Sequence, residues 1–122
     1  MKRATLATFP IVCAGLVFGV ATLAEDATVA APDHYKVEFE NDRVRVIRIT
    51  YGPGEESAMH EHKDGVVIYL TDMTVEFTLP DGTTPPAQAV TAGGSEWAPA
   101  EMHAARNIGD EPIEALMIEF KD

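Results

Sequence analysis

Cysteine is nearly absent: the 122 residues contain one, Cys13, inside an apolar N-terminal stretch. A chain beginning after that stretch has no thiol. That excludes a disulfide framework, thiolate metal ligands and a cysteine nucleophile. Basic residues are scarce as well. Nine Lys and Arg stand against twenty Asp and Glu, a formal net charge of -11. So acidic a surface argues against nucleic acid and anionic membranes, which are gripped through Lys and Arg. There is no G-x-S-x-G elbow, no phosphate-cradling glycine loop, no internal repeat and no low-complexity tract.

The one long hydrophobic run lies at the start. Lys2 and Arg3 are followed by residues 4–24, which carry no charge, and Ala21-Thr22-Leu23-Ala24 ends the run just before Glu25 and Asp26. A basic start, an apolar middle and a small-residue finish make up a secretory signal. The same run is long enough to be an uncleaved anchor helix. Pro10 and the small-residue finish favour cleavage, and Cys13 sits too early for a lipoprotein signal. The expected organisation is a signal peptide over 1–24, a flexible leader over 25–35 and one domain over 36–122. Cleavage leaves seven basic and twenty acidic residues, a net of -13, in a periplasmic or secreted protein without a membrane segment.

The domain reads as short strands broken by turns, with no amphipathic helix after residue 25. Tyr35, Val37 and Phe39 alternate with Lys36, Glu38 and Glu40, the pattern of a half-buried strand. In the next run, Arg43 to Tyr51, Val44 and Val46 share one parity and Ile47, Ile49 and Tyr51 the other. A β-bulge near Val46 and Ile47 would restore a single apolar face, leaving Arg43, Arg45 and Arg48 outside. Val66 to Leu70, Thr74 to Leu79, Ala87 to Val90, Glu96 to Ala98, His103 to Ile108 and Ile113 to Phe120 supply further strands, with Asp81-Gly82 as a hairpin turn. About eight strands at this spacing predict an all-β sandwich or barrel. Trp97 is expected to anchor packing.

Four histidines follow the leader's start: His34, His60, His62 and His103. His60 and His62 are two apart, so a strand puts both rings on one face. His103 lies far along the chain on another strand. Three imidazoles with open positions suit Fe, Mn, Ni, Zn or Cu. His34, ahead of the barrel, is expected to be exposed or capping.

Here the chain resembles the cupin superfamily, whose first motif runs G-x5-H-x-H-x3,4-E-x6-G and second G-x5-P-x-G-x2-H-x3-N. Gly54, His60 and His62 match the opening of the first. Gly93, Pro99, His103 and Asn107 follow the second. The segment from Asn41 to Leu79 is also loosely similar to small cupins linked to β-alanine degradation. The resemblance implies a single jelly-roll β-barrel holding one divalent ion on His60, His62 and His103. Two departures stand out. The motif glutamate falls at Val66 or Val67, and the second motif lacks its glycine and one residue before His103. The site is thus nearer to three-histidine cupins such as the thiol dioxygenases.

Without the carboxylate the ion keeps its full charge and favours an anionic small-molecule ligand. Glu101, two before His103, is a candidate extra ligand. Asn107, Tyr69 and Glu96 are candidates to hydrogen-bond the ligating rings from behind. The reading divides between a metal-dependent dioxygenase or isomerase and a non-catalytic metal- or metabolite-binding protein. Ile113 to Phe120 is apolar on both faces, and small cupins often pair through their sheets, so a homodimer is expected.

Overall fold

The computed structural model describes residues 25–122. The expected signal peptide or anchor helix, residues 1–24, lies outside the described residues. Among the described residues no helix is long and apolar enough to cross a membrane.

A four-residue helix, α1 (Ala27–Ala30), precedes nine strands: β1 (Tyr35–Glu40), β2 (Val44–Tyr51), β3 (His60–His62), β4 (Gly65–Tyr69), β5 (Met73–Thr78), β6 (Gln88–Val90), β7 (Ser95–Ala98), β8 (Glu101–Asn107) and β9 (Ile113–Phe120). They form two antiparallel sheets, ordered β1-β2-β9-β4-β7 and β3-β8-β5-β6. Alternation along each strand turns one side of each sheet to a shared interior. Ile47, Tyr51, Val75, Ala105, Ile113 and Met117 form its buried core. This antiparallel, mostly β architecture is consistent with a jelly roll.

The parity conflict in the second strand resolves differently from expectation. β2 runs without interruption against β9, from Val44 opposite Phe120 to Tyr51 opposite Ile113. The irregularity lies in the facing strand, where Val37 pairs with Ile47 but Phe39 with Val46. Glu38 is the extra residue. β1 is an edge strand, so a bulge there disturbs only one ladder. It turns Phe39 to the outer face, where it is 53% exposed. Arg45 then shares its parity with Ile47 and Ile49 and points inward, contrary to the expectation for that arginine.

Residues 25–35, expected as a flexible leader, are packed onto the domain. Ala27 is fully buried and Ala31 nearly so. The Glu25 carbonyl accepts the Glu61 N–H at 2.9 Å. Asp26 caps α1 through Thr28 and pairs with Arg45. Small alanines let this segment lie close against β3, which composition alone read as a linker.

Candidate metal centre

β3 and β8 pair in a register that sets His60 directly opposite His103, and His62 opposite Glu101. Period-two geometry then places all three rings on the interior side. One ligand atom from each histidine lies within 4.8 Å of the other two. His60 and His62 present their Nε2 atoms to each other at 3.0 Å. Ring centroids are 4.7 Å apart for His60 and His62, 4.9 Å for His60 and His103, and 5.2 Å for His62 and His103. Tyr35 and Phe77 pack against the rings.

Hydrogen bonding decides which nitrogens are free. The His60 Nδ1 lies 2.8 Å from the Ala58 carbonyl oxygen, which can only accept, so Nδ1 carries the proton. The His103 Nδ1 faces the Glu101 carboxylate. Both rings therefore turn Nε2 lone pairs into the cluster. Burial pushes the His60 ring down to about 4 and the His103 ring down to about 3, with the neighbouring histidines adding to both. The His60 and His103 rings are neutral at physiological pH, and the three rings bring convergent nitrogens together, the donor chemistry of a divalent cation site. The three residues fit such an ion.

The other residues singled out in the sequence are distributed differently. Glu101 touches the outer nitrogen of His103, where it orients the ring, and not the convergent side. Asn107 is fully buried, but its amide donates to the carbonyls of Gly52 at 3.2 Å and Glu111 at 2.8 Å, and its oxygen accepts from Gly109 N–H at 3.0 Å. It pins loops together and hydrogen-bonds no histidine. Tyr69 donates to Glu96 across the sheet, and both line the cavity without bonding the rings. His34 stacks on Tyr51 with centroids 4.2 Å apart and bonds the Thr50 carbonyl at 2.8 Å. Trp97, expected as a packing anchor, is 56% exposed and stacks on Phe120 outside the sheet.

Glu119 was missed. It lies on β9 in register with Arg45 and Gly65, on the interior side, and is 1% exposed. Arg45 donates to its Oε2 through Nε at 3.1 Å and Nη2 at 2.7 Å. Its Oε1 lies 3.7 Å from His62 Nδ1. Burial works to raise the Glu119 carboxyl, but the His62 ring and the Arg45 guanidinium outweigh it and hold it below its ordinary value. The sequence signal was parity: Glu119 continues the series Ile113, Ala115, Met117.

His62 and His103 border a cavity of about 510 Å³. Ile49, Val67, Met73, Val75, Phe77 and Met117 supply apolar wall, and Tyr35, Tyr51 and Tyr69 add aromatic surface. Val67, one of the two positions where the resemblance places a glutamate, lines the cavity, so the wall there is apolar.

No family model matches the chain, and no curated protein does. Solved structures do. A cupin domain from Bordetella pertussis Tohama I is 29% identical with a TM-score of 0.66, covering 72% of this chain and 92% of that one. A cupin superfamily protein from Desulfitobacterium hafniense is 18% identical with a TM-score of 0.52, covering 72% and 76%. An RmlC-like cupin family protein with a double-stranded β-helix fold from Methanocaldococcus jannaschii is 16% identical with a TM-score of 0.55, covering 70% and 77%. These neighbours support a small member of the cupin superfamily.

Proposed function

We propose that this protein binds one divalent ion, Fe, Mn, Ni or Zn, on His60, His62 and His103, and uses it to bind and transform a small molecule. The observation that carries the reading is the convergence of the ring nitrogens within 4.8 Å at the border of an apolar cavity. Three histidine ligands leave coordination positions for a substrate atom and, for iron, oxygen. The bound metal supplies Lewis acidity or redox capacity. The protein's residues supply the rest. Apolar walls exclude water and select shape, and Arg45, the inward cation of β2, is already engaged by Asp26 and Glu119. The favoured ligand therefore has one anionic donor, such as a carboxylate, enolate, phenolate or thiolate, on an apolar body. Dioxygenase or isomerase chemistry suits that arrangement.

The second reading is a binding protein that holds metal or metabolite without turnover. Apolar Val67 at the motif-glutamate position favours it, since the wall there offers no general base. Anaerobic reconstitution with each metal, then oxygen-uptake and isomerisation screening against small thiols, carboxylates and phenols, separates the two. Turnover lost in His60→Ala establishes the enzyme. Metal binding without turnover across the panel establishes the binder. Failure of wild-type protein to bind any of the four metals overturns both.

The same proposal includes export and pairing. Lys2, Arg3 and the uncharged residues 4–24 support export to the periplasm or beyond; N-terminal sequencing of exported protein should begin at Glu25. Pairing with a second copy is supported by the outer face of the five-stranded sheet. Phe39, Val46, Ile118, Val66 and Trp97 follow one another in register across all five strands. Charges on that face balance, with Lys36 and Arg48 set against Glu38 and Glu114, in a chain of net charge -11. Two copies can meet there without the repulsion the rest of the surface imposes. The five strands hold 31 residues, so at about 3.4 Å per residue and about 4.8 Å between strands the face covers on the order of 500 Å², the size of a small interface. Light scattering should find a dimer that Phe39→Glu with Trp97→Glu converts to a monomer. A monomeric wild type at 100 µM, on the order of a weak-complex concentration, rejects it.

A further inference from the structure

Among the described residues, the buried side-chain polar atoms without a hydrogen-bond partner are His62 Nδ1 and Glu119 Oε1. They face each other at 3.7 Å, just beyond hydrogen-bond length. Each orphan is costly alone, and each is the natural partner of the other. Glu119 has no freedom to look elsewhere. Its Oε2 takes two donors from Arg45. Arg45 is held from its far side by Asp26. Gly65 flanks Glu119 on β4, where an added Cβ would lie 2.0 Å from the Ile118 carbonyl oxygen, so no side chain intervenes from that strand.

Placed beside the other two histidines, the pattern completes itself. His60 Nδ1 is backed by a carbonyl and His103 Nδ1 by the Glu101 carboxylate. His62 is the third ring, and Glu119 the third acceptor. We infer that Glu119 is a positioning residue for the metal centre, its carboxylate accepting the His62 Nδ1–H and thereby fixing that ring with Nε2 toward the ion. The inference rests on the metal reading given above. The negative charge that the motif position Val67 does not supply as a ligand is delivered one layer further out, through the ring. A carboxylate so placed makes the imidazole a stronger donor and removes its rotational freedom.

The test uses the full-length chain purified metal-free, with Glu119→Gln, Glu119→Leu and the double variant Arg45→Met/Glu119→Leu. The double variant removes both buried charges together, so it keeps a folded comparison if Glu119→Leu alone does not fold. Nitrogen-15 NMR of the metal-free wild type should show His62 protonated at Nδ1. That tautomer should be lost in both leucine variants, and in Glu119→Gln as well, because Arg45 takes the single amide oxygen and the NH2 is left facing His62. Titration with Zn²⁺ and Co²⁺ should show affinity reduced about 10–100-fold in all three variants, with a changed Co²⁺ ligand-field spectrum. Wild-type His62 protonated at Nε2, or leucine variants with wild-type affinity and spectrum, overturns the inference. A wild type that takes up neither metal overturns the metal reading, and the tautomer then decides the role of Glu119 alone.

Discussion

On the inner face of β9, Ile113, Ala115, Met117 and Glu119 are all buried; on its outer face Leu116 and Ile118 are half covered and Phe120 is 44% exposed. The same contrast crosses to β2, where Arg45 points in beside Ile47 while Val44 and Val46 point out. The inner face thus contains a charged pair, and the outer face is apolar with balanced charges. Folding alone would favour the reverse. Buried charge is tolerated when it is paired and when it serves a site. Exposed apolar surface of this extent marks a contact surface. The inversion is what the proposed metal centre inside and the proposed second copy outside would each require.

The sharpest way to break that comparison is at Arg45. Arg45→Met leaves Glu119 buried without its guanidinium partner, with an expected loss of about 3–5 kcal/mol in urea unfolding. Arg45→Met/Glu119→Leu should recover most of it, because an apolar pair of similar volume replaces the ion pair. A single variant as stable as wild type would show that the pair is not desolvated. Next in size is Ile47→Ala, at the fully buried centre of β2, expected to cost about 2–5 kcal/mol through lost burial and a cavity. Zn²⁺ at 100 times its dissociation constant should add about 2.7 kcal/mol to the metal-free protein, reversed by chelator. His60→Ala should abolish that increment. Its persistence would mean the ion binds elsewhere.

The strands and the clustering of His60 with His62 are legible because their signals are local. Alternation from Thr74 to Leu79 and the two-residue spacing of His60 and His62 each set a face without knowledge of the partner strand. What failed was non-local. The parity break in β2 suggests a bulge in β2 itself, because the sequence of one strand cannot say which of two paired strands carries the extra residue. Glu119 was read past because a glutamate near a chain end is ordinarily solvated, and only the registers of β2 and β4 bring Arg45 and Gly65 to its sides. Asn107 sits in a motif position and was assigned to the rings; its burial is used to tie Gly52, Gly109 and Glu111 together. Residues 26–31 resembled a linker because burial of small alanines leaves no hydrophobic period to detect.

The smallest expected effect is the most discriminating for the outer face. Val46 and Ile47 are neighbours on one strand, so backbone propensity and ladder position are nearly constant between them, and only the face differs. Val46→Thr keeps β-branching and removes apolar contact. In a monomer it should change stability by within about 0.5 kcal/mol, as exposed substitutions do. If a second copy covers the stripe from Phe39 to Trp97, the same substitution also buries a hydroxyl against apolar surface. Its cost should then grow with protein concentration, because dimer formation contributes to apparent stability by mass action. Melting wild type and Val46→Thr at two concentrations a hundredfold apart separates the cases. A difference that widens at the higher concentration places the apolar face in an interface; a constant difference leaves it facing water.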